Sequence, residues 1–477
     1  MTGEQSLARP RALCKRLLIL LYIRAMTQRQ LFGTDGIRGK ANIYPITVEV
    51  MLALGRALGY SKRLIVIGKD TRISGDALEQ ALSAGICSMG ADVLFLGPLP
   101  TPAIAYLTRK LRADAGVVIS ASHNPYDDNG VKIFGPDGFK LPDNLELELE
   151  QLILKPHFKS PVNEQIGEAK HTDNAAEQYE TYLKSLVAPC FSLKNLKIVL
   201  DCAHGAAYQI APRILRDLGA DLVVLGNSPN GTNINLEVGS LYPKAAQQAV
   251  RESGANLGIV LDGDADRVVL IDELGELVSG DSLLALLADY LNRQGKLKAH
   301  TLVCTDMSNL ALELCLNSRG IQVERTQVGD RYVVERMRDK NYSFGGEESG
   351  HLIFLDHGTT GDGLAGALIM LSLLQEEKKP LSELKHILNP IPRAIENRLV
   401  PRKIPFKNLS ASTALMAQIE QELGNLGRLF VRYSGTEQKL RVLIEGPKQD
   451  RINQMAMQIA DSISQEISRL KPIAEYS

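Results

Sequence analysis

The chain has 477 residues, room for roughly three or four domains at about 100–200 residues each. Its 54 Lys+Arg against 55 Asp+Glu leave a formal net charge of −1, which argues against a dedicated nucleic-acid binder, because such proteins carry a basic excess. With 44% hydrophobic residues the chain can bury large cores, and no run reaches the ~18 apolar residues of a membrane span.

The first segment is basic. Residues 5–34 contain no acid but carry Arg9, Arg11, Lys15, Arg16, Arg24 and Arg29 around the apolar run 17–23. That run is short for a secretory signal, and Arg24 follows it with no small-x-small cleavage site. Residues 1–26 therefore read as an N-terminal extension or an upstream start, with Met26 as the natural beginning. The cysteines Cys14, Cys87, Cys190, Cys202, Cys304 and Cys315 lack both Cys-x-x-Cys and zinc spacing, and read as reduced thiols in a cytoplasmic protein.

One pattern then recurs three times. Apolar runs at 64–69, 197–201 and 301–305 each end in a polar loop, and each is followed by a helix-like stretch. Gly-Ala-Asp-Val-Leu-Phe-Leu-Gly at 90–97 and Gly-Ala-Asp-Leu-Val-Val-Leu-Gly at 219–226 are near-duplicates, with a weaker counterpart at 320–328. A further strand in each copy runs into a polar loop. These loops are Ser120-Ala-Ser122-His123-Asn124-Pro125, Asp262-Gly-Asp264-Ala-Asp266-Arg267 and Gly346-Glu347-Glu348-Ser349-Gly350-His351. Short apolar runs alternating with helical stretches predict three related α/β domains with mixed, largely parallel sheets. Ligands collect beyond the carboxyl ends of such strands, so the three loops are expected to face one cleft. After about residue 397 the pattern changes to two strands around a turn at 434–438 and a long amphipathic helix from 449 to about 470, a smaller C-terminal α+β domain. The expected divisions are 1–26, 27–178, 179–282, 283–394 and 395–477.

Each loop has a chemical reading. Three carboxylates at alternate positions, Asp262, Asp264 and Asp266, can converge on a hard cation such as Mg²⁺. An EF-hand fails because Arg267 stands where its sharp turn requires Gly. Ser122 is a candidate nucleophile if activated by a base, a cation or prior phosphorylation; read alone its loop is a polar turn, and its place at a strand end with an acidic loop in the next repeat favours the functional reading. Glu347, Ser349 and His351 offer hydrogen-bonding side chains suited to vicinal sugar hydroxyls, or to a simple turn. Arg432, Ser434, Gly435, Thr436 and Arg441 can surround a phosphate with guanidiniums, hydroxyls and turn amides. Gly361-Asp-Gly363-Leu-Ala-Gly366 matches a dinucleotide fingerprint, but residues 375–388 read as polar helix instead of a second strand, so a nucleotide site is rejected.

Taken together and in this order, these loops resemble the α-D-phosphohexomutase superfamily over roughly residues 31–446. The opening Leu31-Phe-Gly-Thr-Asp35-Gly-Ile-Arg38-Gly39 is similar to the branch acting on glucosamine phosphates. The resemblance implies a four-domain, heart-shaped molecule that moves phosphate between the 6- and 1-positions of an aldose through a phosphoserine and a 1,6-bisphosphate. Glucosamine is the expected sugar, with mannose or glucose as the alternative. It implies that Ser122 is the phosphorylated residue and holds one Mg²⁺ per subunit with Asp262, Asp264 and Asp266. Arg38, Lys132 and His351 would surround the transferring group, with Lys132 or a neighbour as general acid/base. Glu347, Ser349, His123 and Arg267 would meet substrate, while Arg432, Ser434, Gly435, Thr436 and Arg441 would hold the non-reacting phosphate. A hexosamine or hexose 1,6-bisphosphate is the implied activator, and the final domain is expected to open and close. Sugar phosphate is the expected partner, without nucleic acid or membrane, in a cytoplasmic monomer or homodimer. Two departures from the family pattern stand out: Gln438 in place of Pro, and Glu348 in place of Gln or Asn.

Overall fold

The computed structural model describes residues 30–470 except 34, 158, 160, 163–164 and 435–437, so the expectations for 1–26 lie outside the described residues. Four sheets follow one another along the chain. The first holds β1 (Ile37–Lys40), β2 (Leu64–Lys69), β3 (Asp92–Pro98), β4 (Ala115–Ile119), β5 (Asp128–Phe134) and β6 (Ala169–His171), in the order β1-β5-β4-β2-β3-β6. The second holds β7 (Lys197–Asp201), β8 (Asp221–Leu225), β9 (Leu257–Leu261), β10 (Val268–Ile271) and β11 (Leu277–Val278), ordered β11-β10-β9-β7-β8. The third holds β12 (Thr301–Thr305), β13 (Gln322–Thr326), β14 (Phe344–Gly346) and β15 (Leu352–Phe354), ordered β13-β12-β14-β15. A fully antiparallel sheet of β16 (Arg393–Leu399), β18 (Lys439–Glu445) and β17 (Arg428–Tyr433) closes the chain, covered by the helix Gln449–Arg469.

The central strands β2, β4, β7, β9 and β12 are buried on both faces, as continuous Val/Ile/Leu runs in parallel sheets require. Each α/β sheet adds something the periodicity did not reveal. β4 turns back antiparallel into β5, β9 into β10, and β14 into β15. All three polar loops are the turns of these hairpins, so the same local architecture presents each at the carboxyl end of an inner strand.

One apolar core is continuous through the first three units, from Val66, Ile104 and Phe134 through Ile198, Leu200 and Leu261 to Leu284, Leu302 and Leu368. The last unit has a core of its own, built on Leu440, Val442, Ile444, Ile459 and Ile463. Backbone hydrogen bonds also join the first three units at their loops. Thr101 N donates to Asp264 O at 2.9 Å, Val268 N to Gly350 O at 3.1 Å, and Gly363 N to Ala265 O at 3.0 Å.

The rejected glycine motif has a packing role. A Cβ at Gly363 would lie 2.4 Å from Arg267 O, so glycine is required where this segment passes under the acidic loop. Asp362 caps the helix Gly363–Glu377 through Ala365 N. The polar helix expected over 375–388 is corrected: the Gly363–Glu377 helix is largely apolar and buried, and Lys378 ends it with φ 54° before a short helical turn at Leu381–Leu384. Among the described residues no helix is long and apolar enough to cross a membrane.

Candidate active site

Ser122 is buried, with φ 53°, and its Oγ donates to Asp262 Oδ2 at 2.7 Å and lies 3.2 Å from His123 Nδ1. The two loops come from different units and meet at the shared core. Asp262, Asp264 and Asp266 offer oxygens within 4.8 Å of one another, all buried. Asp264 Oδ1 is buried without a hydrogen-bond partner, and an ionised oxygen in that position is costly unless a cation takes it. Three hard oxygens, one of them unpartnered, beside a seryl oxygen fit an oxygen-seeking divalent cation such as Mg²⁺.

The electrostatics follow from burial and opposed charges. Burial, then Asp266 and Asp264, push the Asp262 carboxyl up to about 8. Burial would raise Asp266 as well, but Lys132 and His351 outweigh it and hold Asp266 well below the ordinary range. Lys132 Nζ bridges Asp264 Oδ2 at 2.9 Å and Asp266 Oδ2 at 3.0 Å. Burial opposes its charge, yet the two aspartates raise its pKa, so the side chain keeps its proton. His351 lies between Asp266 Oδ1 at 3.0 Å and Glu347 Oε2 at 2.9 Å. Burial alone would lower it, but Asp266 carries it up to about 10, so it is an imidazolium at neutral pH. His123 goes the other way, down to about 4, through burial and the nearby Arg267 and Arg38.

A cleft of about 930 Å³ opens beside these groups and reaches His123 and His351 among them. Of the expected site residues Arg38, His123, Arg267, Glu347, Ser349 and His351 line it, whereas Ser122, Asp262, Asp264, Asp266 and Lys132 are buried and do not. Glu348 also lines it and pairs with Arg393 Nη1 at 3.0 Å, which gives this departure a partner in the last unit. Sequence reasoning missed the wall contributed by Val328, Gly329 and Asp330, just beyond β13. Gly329 N donates to Glu347 Oε1 at 3.0 Å. Lys140 bridges Asp330 at 2.7 Å and Asp35 at 2.6 Å, and Asp35 in turn pairs with Arg38. The available signal was a Gly-Asp step at a strand end in the weakest of the three repeats.

The proposed phosphate cradle stands apart from this lining. Arg432 and Arg441 are direct cross-strand neighbours on β17 and β18, an arrangement that repels unless an anion joins them. Arg432 Nε is buried without a partner, and burial and then Arg441 lower the pKa of its guanidinium. Ser434 is buried at the strand end, with its carbonyl accepting from Lys403 Nζ at 2.6 Å. Gly435 and Thr436 lie outside the described residues.

Models of the phosphoglucomutase/phosphomannomutase α/β/α domains I, II and III match residues 29–160, 178–275 and 279–390, and that family's C-terminal domain matches 395–462. The chain belongs to the phosphoglucomutase/phosphomannomutase family. Within that family it is 50% identical over 449 residues to a phosphoglucosamine mutase of Syntrophotalea carbinolica, covering 92% of this chain and 98% of that one. A phosphoglucosamine mutase of an Anaeromyxobacter species is 52% identical over 447 residues, covering 91% and 95%. The fold resembles a phosphoglucomutase/phosphomannomutase family protein of Burkholderia thailandensis, with TM-score 0.78, 22% identity and coverage of 92% and 98%. It also resembles an Aspergillus fumigatus N-acetylphosphoglucosamine mutase in complex with GlcNAc-6P and magnesium, with TM-score 0.65, 18% identity and coverage of 93% and 99%. Domains I to IV below are those of the family.

Proposed function

We propose that this phosphohexomutase interconverts glucosamine 6-phosphate and glucosamine 1-phosphate, with Ser122 as the phosphoryl carrier. The observation that carries the mechanism is the meeting of three strand-end loops: Ser122 Oγ lies 2.7 Å from Asp262, and their loop neighbours His123 and Arg267 line one cleft with Glu347, Ser349 and His351. The sugar is supported by the likeness to phosphoglucosamine mutases, 50–52% identical over 91–92% of this chain.

Phosphoryl transfer depends on positioning and on neutralising the equatorial oxygens. Ser122 presents its oxygen from a rigid hairpin turn. Arg38 and Arg267 bring fixed positive charge to the cleft wall, and His351 adds a proton-bearing donor anchored on Asp266 and Glu347. Lys132, kept protonated by Asp264 and Asp266, is suited to lend charge or to give a proton, and it would act as a base only after leaving them. Asp262, Asp264, Asp266 and the seryl group would hold Mg²⁺, which when bound withdraws negative charge from the transferring phosphoryl group. Glu347 and Ser349 are placed for the sugar hydroxyls, and Arg432, Ser434 and Arg441 for the phosphate that does not react. Those last three are not among the residues lining the cleft and belong to a unit with its own core, so domain IV is free to open for exchange and close on the second phosphate.

The test is mutase turnover with Mg²⁺ and glucose 1,6-bisphosphate as primer, comparing kcat/KM for the 6-phosphates of glucosamine, glucose and mannose. Glucosamine 6-phosphate should be preferred, and Ser122→Ala should be inactive. Equal use of mannose 6-phosphate would remove the sugar assignment while leaving the mechanism; a fully active Ser122→Ala would remove the mechanism.

A further inference from the structure

Beneath the seryl loop lies a polar clamp with no direct part in the chemistry above. Arg72 follows β2, and its side chain has no exposed surface. Its Nε binds Asp70 Oδ2 at 2.8 Å. Its Nη2 donates to Ser122 O at 3.0 Å and Asn124 O at 2.8 Å, and its Nη1 donates to Asp128 O at 3.0 Å and to Pro125 O. Asp70 Oδ2 also accepts from Ser120 Oγ at 2.6 Å, and that hydroxyl accepts from Ser122 N at 3.0 Å.

A second hand reaches in from domain II. Asn235 Nδ2 donates to the same two carbonyls, Ser122 O at 2.8 Å and Asn124 O at 3.0 Å. Asn235 is itself held, with its backbone N donating to Ala203 O at 2.9 Å and φ at 58°. Gly263, between two of the acidic residues, presses on this junction: a Cβ there would stand 2.5 Å from Ser122 O and 2.9 Å from Asn235 Nδ2.

Ser122 occupies the left-handed region, which an L residue leaves unless its surroundings hold it there. A planar trans peptide sets the His123 N–H antiparallel to the Ser122 carbonyl, so gripping that carbonyl also fixes the direction of the next amide. We propose that Arg72 and Asn235 are positioning residues for phosphoryl transfer. Arg72 fixes the shape of the seryl turn from within domain I, and Asn235 sets its distance from the acidic loop of domain II. The inference rests on Ser122 being the phosphoryl carrier.

The experiment follows single-turnover phosphorylation of the dephosphorylated enzyme by glucose 1,6-bisphosphate, read as the intact-mass gain of the protein. Asn235→Ala should lower the rate constant at saturation up to about 100-fold, as expected for a sub-ångström to ångström misplacement of a reacting atom. The half-saturating bisphosphate concentration should move less than about twofold, because the cleft walls are untouched. Asn235→Asp has the same shape but no donors, and should fall at least as far; a packing role would spare it. Arg72→Lys keeps the charge, loses the fork and should behave alike. A wild-type rate constant in Asn235→Asp overturns the proposal, as does a loss seen only as a smaller reactive fraction. Ser122→Ala is run in parallel. A mass gain there would sink the carrier reading, whereas no gain there with wild-type rates in the Asn235 variants would sink the clamp alone.

Discussion

Asp281 puts a number on the electrostatics behind the Glu347–His351 loop. It is the second residue of the helix Gly280–Arg293, only 3% exposed, with Oδ2 accepting from Asn309 N at 2.7 Å. Its Oδ1 is buried without a well-formed hydrogen bond, although the Ser308 hydroxyl is near enough to favour the ionised form. Burial pushes this carboxyl up to about 6, the Asn309 amide pulls it back, and Glu348 pushes it further. A rise from an ordinary value near 4 to about 6 corresponds to about 3 kcal/mol against the folded state at pH 8, at about 1.4 kcal/mol per pH unit. The sign is that of a raised carboxylate: folding is favoured by protonation, and that advantage is lost as pH climbs through about 6. Asp281→Asn keeps the shape and the acceptor for Asn309 and carries no charge. It should therefore stabilise the protein at pH 8 by about 1–3 kcal/mol, the upper figure assuming that the new amide finds Ser308. The gain should shrink to about one third near pH 4.5. Urea unfolding of both proteins at pH 8, 6 and 4.5 measures it. A gain independent of pH, or a loss at pH 8, would refute the reasoning.

Other outcomes follow from the same geometry. Arg432→Ala should raise KM for glucosamine 6-phosphate by roughly 10- to 100-fold with a smaller change in kcat, since one charge-assisted contact contributes about 1.5–3 kcal/mol; an unchanged KM would reject the cradle. Gly263→Ala inserts a methyl group against Ser122 O and should lower kcat about 100-fold or more, which steady-state assay with a melting curve will separate from unfolding. Chelating divalent cations with EDTA should abolish turnover and added Mg²⁺ restore it; turnover that survives would remove the three aspartates from cation binding. Glu445 is fully buried and accepts from Leu310 N at 2.9 Å, Arg393 Nε at 2.9 Å and Arg428 Nε at 3.2 Å. Glu445→Gln should loosen domain IV by about 1–3 kcal/mol, appearing in calorimetry as an earlier separate transition, and a single unshifted transition would count against it.

Much of this was legible in the chain because hydrophobic runs and polar strand ends are local signals. The runs at 64–69, 197–201 and 301–305 coincide with β2, β7 and β12, and the three loops that end inner strands line up at one cleft. What escaped was set by pairing between distant residues. The antiparallel return of β5, β10 and β15 is not marked by periodicity, because these strands are buried much as their partners are. Arg72 looked like the polar end of a repeat, and only tertiary structure shows its guanidinium under the seryl turn. Asn235 lies in a loop whose Asn/Gly-rich composition signals a turn and nothing more. The glycines at 361 and 363 were rightly denied a nucleotide, but their packing against the acidic loop could not be read from spacing. Glu348 stood out as a departure from the family pattern, and its partner, Arg393, became visible only across the boundary with domain IV.

The hydrogen bonds that stitch domains I to III run from main chain to main chain: Thr101 to Asp264, Val268 to Gly350, Gly363 to Ala265. Substitution cannot easily erase such links, since every residue but proline supplies the same groups. The last sheet is instead attached largely through side chains: Glu445 accepts from Leu310 N, Arg393 donates to Met307 O and Glu348, and Arg428 donates to Asp306 O and Ser308 O. Mutation can therefore retune the reach, tilt and resting angle of the unit that carries Arg432 and Arg441 without disturbing the block that holds Ser122 and the three aspartates. Drift at that one side-chain junction would change the placement of Arg432 and Arg441 relative to the cleft and leave the main-chain links among the three loops as they are.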